Sequence, residues 1–444
     1  MRVLIISYYF PPNPAVGGVR ALGLAKYLPQ FGYEPLVLTP VFPGRKAGQV
    51  EVIETEDRDV LSHYKAKLRL DPKRSLHDQW GLSQGSKPSA IPLHTRALNF
   101  AASCISYPDP RKGWLPFALD AVRKLQAGPR VGAILSSAPP ICCAMLGARA
   151  KAILGCPWIA DFRDLWVDNL ASTTSPLVRR MQRRLEKKTL AAGDVLVTVS
   201  EPWANRLRQS HPAKRVVTVA NGFDPADFGG PRPPLTTFFS LTYTGQLYQG
   251  KRDPSQLLAV LQQLFREGLL DRRRVRVRFY GPQEAWLAAI VENYGLQDVV
   301  EIGGKVARSE AQLRQCESQV LLQLGWADPQ ETGQHTGKLF EYLGARRPIL
   351  AVGGVRGVMT DLLDETGAGL HALSEAELRR FLLDAYREFE SQGCVAYRGQ
   401  AAAVDRYTHV EMARRMAAIL AEVAGNGAAP QPASVAAEEP VITR

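Results

Sequence analysis

The stretch HTGKLFEYLGARRPILAV, residues 335–352, sets Gly337, Lys338 and Glu341 just ahead of an apolar run that reads as a buried strand. Glycine and lysine at a helix start suggest a phosphate cradle, but the nucleoside-triphosphate P-loop does not fit. From Gly333 the spacing to Gly337 and Lys338 is one residue short, and Leu339 stands where a magnesium-binding hydroxyl belongs. Lys338 and Glu341 lie three residues apart on one helix face, where such a pair is commonly a surface salt bridge. A second cationic loop changes that reading: YTGQLYQGKRDPSQL places Gly245, Gly250, Lys251 and Arg252 between a strand and a helix. Lysine and arginine can neutralise a diphosphate, while a carboxylate accepts two hydrogen bonds from the vicinal hydroxyls of a ribose. That combination describes a nucleoside diphosphate site.

Two further turns carry residues of the same kind. In SYYFPPNPAVGGVRALGLAKYL a first strand ends near Ser7, and Gly17 and Gly18 lead into a helix from about Val19 with Arg20 on its first turn. Such glycines let a backbone approach a ligand, and the helix start offers free N–H groups to an anion. In PWIADFRDLW, Asp161 closes a strand, with Arg163 and Asp164 following between Trp158 and Trp166. Isolated buried charge is costly, so these groups are expected either to pair, as Arg163 with Asp164, or to contact a sugar or acceptor.

Elements to hold these turns recur along the chain. RVLIIS, EPLVLT, GAILSS, PWIAD, DVLVTV and RVVTVA are short apolar runs with helical stretches between most of them. This alternation predicts a parallel sheet covered on both faces. After GGPRPPLTT, residues 229–237, which reads as a linker, the pattern restarts with SLTYTG, VRVRFYG, VVEIGG, QVLLQLG and RPILAVGG. The expected fold class is therefore α/β, two facing Rossmann-like domains with a cleft between them: 1–228, with an insertion at about 60–112, and 229–405. A helix over 406–424 and a disordered tail over 425–444 complete the expectation.

At 444 residues, 45% hydrophobic and 22% charged, the chain suits two soluble globular domains. No apolar run reaches the roughly 18 residues of a membrane span, and MRVLIISYYF is too short an apolar stretch for a signal peptide, so a cytoplasmic protein is expected. Six cysteines lack the spacing of a disulfide framework or a zinc site. The formal net charge of +12 concentrates in SPLVRRMQRRLEKKTLAAGD, an amphipathic helix whose basic face, within 178–190, is either solvated or docked on anionic lipid. Nucleic acid is not expected, since no aromatic-studded basic strand or recognition-helix motif accompanies the charge.

The segments YYFPPNPAVGGVRALGLAKYLPQFGYEPLVLT, GWLPFA, SSAPP, PWIADFRDLW, VLVTVSEPWANRL, VANGFDPADF, TYTGQL and KLFEYLGARRPILAV, in this order, resemble a GT-B-fold glycosyltransferase of family 4. That family is the retaining group common in bacterial cell-surface polysaccharide assembly. The resemblance implies an acceptor-binding N-terminal domain, a donor-binding C-terminal domain, and a final helix packing back on the first. Glu341 would hold the donor ribose; Lys338 and Arg252, with Lys251 as the alternative, would face the phosphates. Gly245, Gln246, Gly281, Thr336 and Gly337 would complete the donor site, and Gly17, Gly18, Arg20 and Asp164 the acceptor or phosphate loop. Asp161 and Arg163 would join Arg252 and Lys338 in catalysis. The implied partners are a UDP- or GDP-sugar, a lipid-linked or saccharide acceptor and an anionic membrane surface on the inner face of the plasma membrane; no metal or cofactor is expected. The sequence departs from its relatives at Gly333, where many carry a glutamate eight positions before Glu341, and at Gln246, where arginine is frequent. Those departures leave open a catalytically silent binding subunit; a sugar-nucleotide epimerase shares the fold.

Overall fold

A computed structural model describes residues 1–45, 48, 50–59, 107–169, 175–326, 328 and 330–425. Most of the expected insertion, Cys104 and nearly all of the tail lie outside them. The chain divides into two units, one of Met1–Val199, Trp203–Val219 and the residues from Ala413, the other of Ser200–Pro202 and Ala220–Met412.

The first unit is built on β1 (Arg2–Ser7), β2 (Glu34–Pro40), β3 (Glu51–Thr55), β4 (Ala133–Ala138), β5 (Trp158–Phe162), β6 (Val195–Thr198) and β7 (Arg215–Thr218). All pairs are parallel, in the order β3-β2-β1-β4-β5-β6-β7. β1, β4, β5 and β6 are buried along nearly their whole length because helices cover both faces. Those helices include α1 (Val19–Tyr27), α2 (Leu115–Lys124), α3 (Cys142–Leu154), α4 (Pro176–Leu190) and α5 (Glu201–Ser210). Trp114, Trp158 and Phe162 fill the core between sheet and helices.

In the second unit the strands are β8 (Phe239–Thr244), β9 (Val275–Tyr280), β10 (Val300–Gly304), β11 (Val320–Leu324), β12 (Ile349–Val352) and β13 (Gly369–Ala372). Their parallel order is β10-β9-β8-β11-β12-β13. Counted from its first strand, this is the 3-2-1-4-5-6 order of a Rossmann sheet, and the switch point lies between β8 and β11. The covering helices are α6 (Ser255–Arg266), α7 (Ala285–Asn293), α8 (Arg308–Cys316), α9 (Gly337–Ala345), α10 (Val358–Thr366) and α11 (Glu375–Gln392). Each strand expected from sequence is present; β3 and β13 are additions, and both are edge strands too short or too polar to stand out by pattern.

The unit boundary falls at 219/220, not in the expected linker. Residues 229–237 belong to the second unit: Arg232 donates to the Ala345 carbonyl (3.0 Å) and Thr236 N to the Glu317 carbonyl (2.9 Å). Phe228, just before them, packs against Gly344, where a Cβ would meet its ring at 2.4 Å. A short helix, α12 (Ala401–Asp405), precedes α13 (His409–Val423). From Ala413 on, α13 counts with the first unit, where Tyr33 donates its hydroxyl to the Ala417 carbonyl (3.0 Å).

The described end of the expected insertion is a built part of the first unit. The Asp109 carboxylate accepts from the backbone N–H of Ile141 and of Cys142 (3.3 Å), so it caps the start of α3. Burial raises its pKa, and those backbone donors oppose the rise.

Candidate functional site

The donor-side residues come together at the carboxyl ends of β8 and β11, the two strands that flank the switch point. β8 ends at Thr244, and Gly245 turns the chain with φ +123°, a left-handed value that favours glycine. A Cβ there would sit 2.7 Å from Lys338 Nζ, so the missing side chain lets the ammonium lie against the loop. Gly281, at the end of β9, supports that loop from behind: a Cβ on it would fall 2.1 Å from the Gly245 carbonyl oxygen. Gln246 gives its carbonyl to the Tyr243 hydroxyl (2.7 Å) and its side-chain oxygen to Tyr248 (3.3 Å).

Lys338 follows Gly337, the first residue of α9, and donates to the Tyr243 hydroxyl with its ammonium 3.7 Å from the centre of that ring. It makes no ion pair among the described residues, which removes the surface Lys338–Glu341 bridge as an explanation. Burial first, and the charge of Arg252 second, pull its pKa well below the usual lysine value; Glu341 acts the other way. Thr336 is the N-cap residue of α9, yet its side chain bonds no helix amide and instead accepts from Gln323 (3.2 Å). The first turn of α9 therefore keeps amide donors for an anion.

Arg252 lies 5.5 Å from the ring centres of both Tyr248 and Trp326, and Lys251 is 4.6 Å from the Trp326 ring. Arg252 donates to the Gln334 side chain (3.1 Å), while its buried Nε has no partner among the described residues. Neither Lys251 nor Arg252 forms an ion pair among those residues. Three cations without a carboxylate partner among the described residues, beside an open helix start, are groups that can bind an anion. Glu331 lines the same hollow as Arg252 and accepts from the backbone N–H of Gly333 (3.2 Å).

Glu341 sits one turn further along α9. Its carboxylate takes Arg308 Nε at 3.0 Å and Gln315 Nε2 at 3.4 Å. Sequence reasoning missed Arg308, Gln315, Tyr243, Tyr248 and Trp326. Trp326 was within reach of a simple rule, since it directly follows the turn glycine at the end of β11; the others gain meaning only from the folded arrangement.

In the first unit the expected loop residues also converge, but mostly on one another. Arg20 binds Asp161 through two hydrogen bonds, Nε to Oδ2 at 2.8 Å and Nη2 to Oδ1 at 2.9 Å. Asp161 is 0% exposed and Arg20 3%, so a substrate has no surface of this carboxylate to touch. We read the pair as an internal brace between α1 and β5, in place of the catalytic part expected for Asp161. Arg163, part-buried, donates to the Ser137 hydroxyl (3.1 Å) and to the Pro139 carbonyl. Desolvation lowers its pKa, against the pull of Asp164 and Asp161. Gly17 makes room for this guanidinium, since a Cβ there would lie 3.0 Å from Arg163 Nη1 and 2.8 Å from Tyr9. A Cβ on Gly18 would meet the Tyr9 carbonyl at 2.9 Å. Close packing, and no left-handed backbone, explains both glycines.

The basic helix forms as α4, with Ser175 capping Val178 N at 3.4 Å. Arg183 bridges to Asp168 (2.6 Å), and Leu177 and Met181, one turn apart, are 58% and 41% exposed. Among the described residues no helix is long and apolar enough to cross a membrane.

Two Rossmann-like units with parallel sheets of seven and six strands make the GT-B fold. Residues 17–222 match the glycosyl transferase 4-like domain. The first part of the chain is thus similar to a glycosyl transferase 4-like domain. The fold of the chain is similar to sucrose-phosphate synthase of Thermosynechococcus elongatus at 12% identity and a TM-score of 0.61, over 95% of this chain and 98% of that one. HepE of Anabaena, solved with UDP and glucose, is similar at 13% identity and a TM-score of 0.60, over 95% and 100%. A glycosyltransferase of Rickettsia africae is similar at 12% identity and a TM-score of 0.57, over 96% and 99%. No curated protein matches the chain in sequence.

Proposed function

We propose that the chain moves a sugar, with retention, from a UDP- or GDP-sugar to a lipid-linked or saccharide acceptor in cell-surface polysaccharide assembly. One observation carries the donor part: Lys338 at the open start of α9, Arg252 on Gln334 and Lys251 over Trp326 have no carboxylate partner among the described residues. A diphosphate supplies the missing charge. As the sugar departs, negative charge grows on that diphosphate, and cations already in place stabilise it without reorganisation and without a metal. Glu341 takes the ribose diol. HepE was solved with UDP and glucose, which supports a nucleotide-sugar donor of this kind.

The test is to incubate the protein with UDP- and GDP-sugars and measure free nucleotide with and without a lipid-linked saccharide acceptor. Acceptor-dependent release of one nucleotide is expected. Binding without release identifies a silent subunit, and a new sugar nucleotide identifies an epimerase. The basic face of α4, with exposed Leu177 and Met181, is proposed to dock on anionic membrane at the cytoplasmic face; co-sedimentation with anionic vesicles that does not weaken in salt removes this part.

The lowered pKa of Lys338 gives the donor site a pH dependence of known sign. In the free protein this lysine loses its proton at lower pH than an ordinary lysine, and an adjacent diphosphate favours the protonated form. Binding therefore takes up a proton once the pH exceeds the lowered pKa. Nucleoside diphosphate affinity is expected to fall as pH rises through that region, and Lys338→Met to flatten the curve. Titration by calorimetry in buffers of different ionisation enthalpy checks this; equal slopes in the two proteins dismiss the lysine as the source.

A further inference from the structure

The carboxylate of Glu341 is already half engaged, and the helix that engages it is α8. Arg308, Gln312 and Gln315 stand at i, i+4 and i+7 on that helix and so share one face. Arg308 donates through Nε to Glu341 Oε1 (3.0 Å) and pairs through Nη2 with Asp227 Oδ2 (3.0 Å). Gln312 holds the same Asp227 oxygen at 3.0 Å, which fixes the far end of the arginine fork. Gln315 reaches Glu341 Oε2 at 3.4 Å and Thr244 Oγ1 at 2.9 Å, tying the carboxylate to the end of β8. Burial works against the charge of Arg308, but Glu341 and Asp227 outweigh it and hold the guanidinium above its usual range.

An ionised carboxylate offers about four lone-pair sites. Arg308 and Gln315 fill one on each oxygen, which leaves about two, the number needed to accept both hydroxyls of a vicinal diol. The Glu341 side chain keeps 21% of its surface exposed, so those remaining sites are open to a ligand.

We propose that Arg308 is the positioning residue of the ribose subsite, braced by Asp227 so that Glu341 presents its two free acceptor sites to the nucleoside diol. The proposal rests on the reading of Glu341 as the ribose contact. Arg308 acts through Glu341 and touches no reacting atom. Its removal loosens the carboxylate's aim and weakens the bond that distinguishes a ribonucleotide from a deoxyribonucleotide.

The experiment measures equilibrium binding of UDP and 2′-deoxy-UDP, or of GDP and 2′-deoxy-GDP if guanine binds more tightly, to wild type, Arg308→Ala, Arg308→Lys and Glu341→Ala. Loss of a charge-assisted contact is expected to weaken ribonucleotide binding by Arg308→Ala about tenfold or more. The ribo-to-deoxy ratio should fall toward that of Glu341→Ala, while an arginine with a merely structural role leaves the ratio alone. Arg308→Lys should recover part of the ratio, since a point charge replaces the fork incompletely. An unchanged ratio in Arg308→Ala, beside a lost one in Glu341→Ala, overturns the arginine's role and leaves the ribose reading standing. Tighter binding by Arg308→Ala also overturns it, by showing the pair to be a lock. A wild-type ratio in Glu341→Ala removes the ribose reading and the arginine's role with it.

Discussion

Arg252→Ala is expected to lower turnover by roughly two orders of magnitude or more while leaving the fold intact. The size follows from the site: a preorganised donor aimed at developing charge contributes about 2 to 4 kcal/mol at the transition state. Arg252 has the attributes of such a donor. Its guanidinium is held over Tyr248 and Trp326 and steadied by Gln334, and its Nε is buried with no partner among the described residues. Those contacts fix the fork before a diphosphate arrives. Truncation removes the charge but no core volume, so a thermal melt should move little. Steady-state kinetics with the donor found by the nucleotide panel decides the matter. A variant that retains near-normal turnover takes Arg252 out of the chemistry and passes the phosphate contact to Lys251, which shares the Trp326 face at 4.6 Å.

A second large effect is expected on stability. Asp161→Ala should cost about 3 to 5 kcal/mol, because it takes the carboxylate away from a buried guanidinium that it binds through two hydrogen bonds. Against the typical total of about 5 to 15 kcal/mol for a domain, that is a severe loss. At about 2 to 4 °C per kcal/mol for a unit of this size, the melting temperature should drop by about 6 to 20 °C. Replacing both residues by apolar ones, Arg20→Met with Asp161→Leu, should recover much of the loss, since the guanidinium is then removed together with the carboxylate it binds. Thermal unfolding of the single and double variants measures both. An Asp161→Asn protein that melts like wild type but has lost turnover would return the carboxylate to the chemistry.

These two residues show what local spacing carries and where it stops. Arg252 was legible because its signal is local: a glycine-rich turn after an apolar strand, followed by two adjacent cations and a helix. In a parallel sheet such turns lie at the ligand-binding edge whatever the rest of the chain does. Asp161 sits at an equally suggestive strand end, yet its partner is 141 residues away on α1. Local spacing offered Arg163 and Asp164 as neighbours; packing supplied Arg20. The glycines at 17 and 18 followed the same course, chosen from sequence as a ligand approach and found packed on Tyr9 and Arg163.

The sequence by itself determined the alternation of strands and helices, the two parallel sheets, the cationic loop at 250–252 and the placement of Lys338 and Glu341 on one helix. Hydrophobic periodicity and turn residues are properties of neighbouring positions, so they survive without a fold. Only the tertiary structure decided which charges neutralise each other. It paired Arg20 with Asp161, gave Glu341 to Arg308, and left Lys251, Arg252 and Lys338 without a carboxylate among the described residues. Charge pairing depends on which side chains long loops and crossovers bring within about 4 Å, and composition cannot fix that distance.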